Sequence, residues 1–382
     1  MSDSRVAAVF DSVVLPVLAL GGAVLLFGGF VWLGGTSPTE TWVLLFKGAF
    51  GDSFSWQNTL QRAAPLMLTA LCVAIPQRAG LMVIGGEGAL VLGGLACAGL
   101  PYLFAPPPGL PGTVMVLLAG ALGGAAWIAL VGVLRQYRGV NETISSLLMG
   151  YLAIGLFKHF VEGPMRDPSS LNKPSTLPLE DSIRLGSLPG YDVHWGLVWG
   201  VVACVAAGLW LFGSTHGFAT RVVGGNARAA RLVGLPSHRL IIVACALGGG
   251  CAGLAGGIEV AAVHTTANAS LIAGLGYTGI LVSFVARHNP FAVIPVAILF
   301  GGFGSAGSLL QRRLDLPDAS VLVLQGFAFV LILASEALRG RMGEWLTRQR
   351  MVRAERAAAH ETSRVRLTRE QAALDAARKE AA

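Results

Sequence analysis

Long apolar runs separated by short polar breaks dominate this chain, and the runs have the length of membrane-crossing helices. A hydrocarbon core about 30 Å thick takes roughly 20 helical residues to cross. Runs of that order lie at 13–33, 60–75, 81–100, 113–134, 144–161, 196–212, 240–262, 271–285, 290–310 and 320–335. They predict an all-α integral membrane bundle of about ten transmembrane helices over residues 1–338. The first run is too long for a signal-peptide core and has no cleavage site after it. The glycine-rich run at 81–100 fits either a continuous helix or a broken, re-entrant one. Ala-Leu-Gly-Gly at 121–124 and 246–249 is too common a string to claim as a repeat.

The polar breaks set the expected topology through their lysines and arginines. With the N-terminus inside, the inner segments hold Arg5, Arg78, Arg135, Arg138, Arg221, Arg228, Arg231, Arg239 and Arg287. The outer ones hold Lys47, Arg62, Lys158, Arg166, Lys173, Arg184, Arg312 and Arg313. Arg339, Arg341, Arg348 and Arg350 extend the inner set, so both termini are expected inside. The outer loop 162–195 is polar and proline-rich and is expected to cap the external face. The inner loop 214–239 carries arginines and no acid, and 226–233 reads as a short surface helix with Asn226 as its N-cap.

Composition agrees with the pattern: 54% of residues are apolar and 13% charged, about half the charged share of a soluble domain. That excludes a soluble two-domain enzyme, a disulfide scaffold and a disordered chain. The net charge of +7 is concentrated in 339–382, where 11 basic and 6 acidic residues predict a basic helical cytoplasmic tail. A basic segment beside a bilayer suits membrane lipid, and no nucleic-acid binding is expected. Five scattered cysteines and seven histidines show no metal-ligand spacing, so neither a metal nor a cofactor is expected.

Acids inside apolar runs are the first candidates for function, because a charge in hydrocarbon costs a few kcal/mol. Glu87, flanked by Gly85, Gly86 and Gly88, is the deepest; Glu142, Glu259 and Glu336 lie nearer span ends. They line a substrate path or gate, or they pair with arginines and cap helices, as Asn141 and Glu142 can for the span near Ile144. Gly249, Gly253 and Gly257 recur on one helix face and read as a close helix–helix contact. The chain has no GxxxxGK[ST] loop for ATP and no local nucleophile–base signature, so it is not read as an enzyme.

Five segments, in order over 80–310, resemble the permeases of ABC-type importers for nucleosides and simple sugars, relatives of ribose and branched-chain amino-acid permeases. Gly80-Leu-Met-Val-Ile-Gly-Gly-Glu-Gly-Ala resembles the family's G-x-x-N-I-G-x-E-G, and Val140-Asn-Glu-Thr-Ile-Ser-Ser resembles V-N-E-x-I-S-T. Gly224-Gly-Asn-Ala-Arg-Ala-Ala-Arg-Leu-Val-Gly-Leu resembles G-x-N-P-x-A-A-x-x-A-G-I. The run 246–260 is similar to S-G-A-L-A-G-L-A-G-A-I-E-V, and Gly276-Tyr-Thr-Gly-Ile with Arg287-His-Asn-Pro to G-F-x-G-I…G-R-x-N-P. Val83 and Gly150 stand where the family often has asparagine.

The resemblance implies a permease subunit in the inner membrane of a bacterium. It implies a cytoplasmic ABC ATPase, a second permease subunit and an extracytoplasmic substrate-binding lipoprotein as partners. It puts Glu87, Asn141, Glu142 and Glu259 along the path. Gly224, Asn226, Arg228, Ala230, Arg231 and Gly234 would form the helix that couples to the ATPase. The cargo would be a nucleoside, nucleobase or simple sugar. The alternatives are a gradient-driven carrier coupled through Glu87, and a permease for branched-chain amino acids.

Overall fold

The computed structural model describes residues 15–170, 172–317 and 319–338; the tail expected at 339–382 lies outside the described residues. The regular elements among the described residues are helices, with two isolated bridges, Ser175 with Asn268 and Ser187 with His194, in place of a sheet. In chain order the helices are α1 (Leu15–Leu33), α2 (Pro38–Phe50), α3 (Ser53–Arg78), α4 (Gly86–Leu103), α5 (Leu110–Arg138) and α6 (Glu142–Glu162). Then come α7 (Gly196–Gly213), α8 (Thr215–Gly225), α9 (Ala227–Leu232), α10 (Ser237–Ile258), α11 (Leu275–Val285), α12 (Pro290–Leu314) and α13 (Ser320–Leu338). Among the described residues eight helices are long and apolar enough to cross a membrane, or nine if the bent pair α1–α2 counts as one span.

Two expected spans differ from this. The run 271–285 yields α11, whose 11 residues reach about 16 Å and cover half of a hydrocarbon core. The stretch after the first run turns through 119° into α2, a helix the apolar pattern did not predict. The run 81–100 is broken at its start: 81–85 is not helical, and α4 begins only at Gly86.

Local chemistry explains most helix starts. Asp52 accepts from the Ser55 N–H at 2.7 Å to cap α3, and the same hydrogen bond holds its carboxyl below the usual carboxylate range. Asn141 caps α6, Ser214 caps α8, Asn226 caps α9 and Asn289 caps α12, where Pro290 fills the first position.

Residues 23–329 form the larger of two compact units, and within it α3 and α10 are the central helices. From Ala63 to Pro76, α3 is buried without a break, which its small and apolar side chains permit. Backbones meet where α10 crosses α5 and α4. A Cβ on Gly253 would fall 2.3 Å from the Gly120 carbonyl oxygen, one on Gly249 would fall 2.4 Å from that of Gly124, and one on Gly93 would reach Gly253 at 2.3 Å. Gly257, on the same face, has only ordinary contact, 3.4 Å from Leu117. Small residues are what let helices approach this closely in lipid. The smaller unit contains the described residues 15–22 and 330–338, where Gly22 meets Leu331.

One end of the larger unit carries α8, α9 and the turn between α11 and α12. The opposite end is covered by 163–195, which is tied down by backbone pairs from Thr176, Leu179 and Leu185 to Ala267, Thr265 and Ala261. His194 is buried in this cover and accepts the Gly196 N–H at 3.1 Å, and burial pushes its imidazole below the usual 6.5.

Candidate functional site at mid-membrane depth and its link to the α9 end

The short non-helical segment 81–85 carries the chain from the α9 end back into the bundle. Non-helical backbone inside a membrane bundle needs partners, and the start of α6 supplies them. The Thr143 hydroxyl donates to the Met82 carbonyl at 3.1 Å, and the Ile84 N–H donates to Ser146 Oγ at 3.0 Å. Asn141 accepts from the Thr143 and Ile144 N–H groups, and Glu142 pairs with Arg135 Nε at 3.1 Å. Residues 80–89 and 140–149 therefore build one assembly, and its product is the position of Glu87.

Glu87 is 1% exposed and caps the half-helix α11. The Gly274 N–H donates to Oε1 at 2.8 Å and the Gly276 N–H to Oε2 at 2.6 Å. Both oxygens act as acceptors at the positive end of a helix dipole. Gly276 lets the helix come this close, since a Cβ there would sit 2.2 Å from the Glu87 nitrogen. Gly279 similarly lays α11 on Thr69 of α3. Glu259 stands apart from this assembly. It begins a π-helical turn, Glu259–His264, at the end of α10, and its carboxylate lies 3.6 Å from His264 Nε2.

Arg62, expected on the outer side, is exposed, and its neighbour Gln61 donates to the Asp192 carbonyl of the 163–195 cover. The Asp52 cap starts α3 at Ser53, seven residues before the apolar run, so the helix extends past Arg62 toward the cover. Arg62 borders a cleft of about 350 Å³ with Leu66, Leu275, Thr278, Phe300 and Gln325.

At the α9 end, Arg78 closes α3 by donating to the carbonyls of Arg287 (3.3 Å) and His288 (2.9 and 3.1 Å). Those two residues sit in the left-handed region at φ 53° and 54°, a strained turn for side chains that are not glycine. Gly224 rests on the same corner: a Cβ there would fall 2.2 Å from the Arg78 carbonyl oxygen. Next in sequence, α9 is capped by Asn226 and ends in a Schellman turn. The Gly234 N–H donates to Arg231 O and the Leu235 N–H to Ala230 O, with Gly234 at φ 82°. Ala230 is buried, while Arg228 and Arg231 are exposed beside Leu232 (89%) and Val233 (72%). An unbroken set of contacts thus runs from an exposed basic helix through Gly224, Arg78 and the 287–288 turn into α11 and its cap at Glu87.

Comparison with known proteins fits this architecture. The model of the family described as branched-chain amino acid transport system / permease component matches residues 55–333. The chain belongs to that permease family. It is a multi-pass membrane protein and a transport component rather than an enzyme. It is 30% identical over 336 residues to the glucose ABC transporter permease protein TsgB13 of Haloferax volcanii, covering 85% of this chain and 86% of that one. It is 26% identical to the guanosine ABC transporter permease protein NupP of Bacillus subtilis (86% and 93% covered). It is 25% identical to NupQ of the same organism, also a guanosine ABC transporter permease (72% and 89% covered).

Proposed function

We propose that this permease serves an ATP-driven importer that moves a nucleoside, nucleobase or simple sugar across a bacterial cytoplasmic membrane. A second permease subunit, a cytoplasmic ABC ATPase and an extracytoplasmic substrate-binding lipoprotein complete it. The observation that carries the reading is the seat of α9, exposed and basic on one side and joined through Gly224 and Arg78 to the α11 turn on the other. The α9 end is then cytoplasmic, as its arginine content favours, and 163–195 covers the external end. The glucose and guanosine relatives support the cargo class.

In operation, the ATPase grips Arg228, Arg231 and the Leu232–Val233 tip. Closure of the ATPase on ATP displaces α9, and the rigid contacts at Gly224 and Arg78 pass the displacement to the 287–288 turn. The half-helix α11 tilts about its Glu87 cap and opens or closes the path at mid-depth. A gradient-driven carrier would need Glu87 to bind and release a proton, whereas both of its oxygens are engaged as acceptors by α11. The test is the double variant Arg228→Glu/Arg231→Glu in the reconstituted importer. Loss of substrate uptake and of its ATP dependence, with unchanged thermal stability, is the expected result; wild-type uptake would refute the assignment of α9.

A further inference from the structure

Along α7 the exposed apolar residues Val198, Val202, Val205, Leu209 and Phe212 recur at helical spacing on one face, and the stripe ends where the helix ends. The helix has 18 residues and is about 27 Å long, close to the thickness of a hydrocarbon core. Phe212 lies in its last turn beside Trp210, a residue type that collects at headgroup level. Two guanidiniums meet at that point. Cζ of Arg78, the last residue of α3, lies 5.6 Å from the Phe212 ring centre. Cζ of Arg221, on α8, lies 5.4 Å from the same centre and 6.0 Å from that of Phe218.

The two cations repel each other, and nothing beside them on this chain answers their charge. No acid occurs in α3, in α12 or anywhere from 193 to 258, a stretch that holds α7, α8, α9 and α10, so the helices packed around Arg221 carry none. Among the described residues no carboxylate lies within ion-pair distance of either guanidinium. Arg78 donates from Nε and Nη2 to the 287–288 carbonyls and leaves Nη1 unused. Arg221 makes no hydrogen bond among the described residues; its Nε is buried without an acceptor, while its terminal nitrogens reach the surface. The faces of Phe212 and Phe218 hold its guanidinium in place but offer no oxygen to its N–H groups.

A phosphodiester supplies what is missing, a negative charge on oxygens that suit the guanidinium fork. The stripe on α7 points to its source: acyl chains lying on that face bring a lipid phosphate to this height, whereas a soluble anion has no use for the stripe. We propose that Arg221, with Arg78, forms a headgroup site for an anionic phospholipid of the leaflet at the α9 end, its acyl chains lying along the exposed face of α7. Neither the cargo nor an ATPase partner enters into this binding.

The test is native mass spectrometry of the full chain in detergent, titrated with phosphatidylglycerol and with phosphatidylcholine of the same acyl chains. One arginine near a headgroup changes anionic-lipid affinity about fivefold. The wild-type chain is expected to hold its first phosphatidylglycerol about fivefold or more tighter than phosphatidylcholine. Arg221→Gln weakens phosphatidylglycerol about fivefold, whereas Arg228→Gln, on the exposed side of α9, leaves it near the wild-type value. No headgroup preference in the wild type, equal losses in the two variants, or displacement of the lipid by inorganic phosphate overturns the proposal. A preference that vanishes in the complete complex also overturns it, since a partner's carboxylate then answers the arginines. A second measurement uses the chain in phosphatidylcholine vesicles. Phosphatidylglycerol brominated on its acyl chains quenches tryptophan fluorescence more than an equal fraction of brominated phosphatidylcholine, and Trp210→Phe removes the difference; equal quenching by the two lipids overturns the site.

Discussion

Glutamine at position 87 is the sharpest probe of the half-helix cap. The wild-type side chain accepts two backbone N–H groups at 2.8 and 2.6 Å in a site 1% exposed. Glu87→Gln keeps one oxygen and turns an NH2 group toward the other donor, so one charge-assisted bond is lost and one buried N–H is orphaned. A hydrogen bond to a charged group contributes about 1.5–3 kcal/mol, and that is the expected loss. Glu87→Ala orphans both N–H groups and costs about twice as much. The assay is denaturant unfolding of the purified protein in detergent, followed by tryptophan fluorescence, with hydrogen exchange read at 274–278. Both variants lower stability in the stated ratio, and exchange quickens first at Gly274 and Gly276. If Glu87→Ala is as stable as wild type, or exchange at those amides is unmoved, the cap does not hold α11 and the argument fails.

Three further outcomes follow from the same structure. Gly253→Ala places a Cβ 2.3 Å from the Gly120 carbonyl oxygen, so α10 and α5 must separate; a loss of about 1–3 kcal/mol is expected in the same unfolding assay. Gly224→Ala clashes at 2.2 Å with the Arg78 carbonyl oxygen, and the importer should then hydrolyse ATP with little uptake; an unchanged ratio of transport to hydrolysis would count against the Gly224 contact as a transmitting one. Burial holds the His194 imidazole below its usual 6.5, so the unfolded chain binds the extra proton first. Its contribution is present above about pH 6.5 and is lost as pH falls toward the folded value, and His194→Gln should flatten that part of the stability–pH curve.

Much of this was legible in the residues because the signals were local. Asn141 and Asn226 stand just ahead of their helices, and Asp or Asn at that place is a capping signal whatever the tertiary fold. The polar, proline-rich stretch 162–195 had no means of crossing a bilayer and covers one end of the bundle. The half-helix α11 was hidden because 271–285 is apolar throughout, and hydrophobicity alone does not separate a full span from a buried half-span. Its glycines at 274, 276 and 279 were the available hint, and they serve contacts with Glu87 and Thr69 that are remote in sequence. Spacing marked Gly249 and Gly253 as a packing face but did not name Gly93, Gly120 and Gly124 as the surfaces they meet. The role of Glu87 was open for the same reason, since its partners lie 187 and 189 residues away.

The central claim is that this permease works as one subunit of an ATP-driven importer through α9. The most direct measurement is purification of the tagged full chain in gentle detergent, with mass spectrometry of what accompanies it, in wild type and in Arg228→Glu/Arg231→Glu. The account predicts that an ATPase with phosphate-binding loops and a second permease copurify with the wild-type chain, and that the ATPase alone is lost from the variant. Recovery of the wild-type chain by itself, or an ATPase held equally well by both proteins, would contradict it.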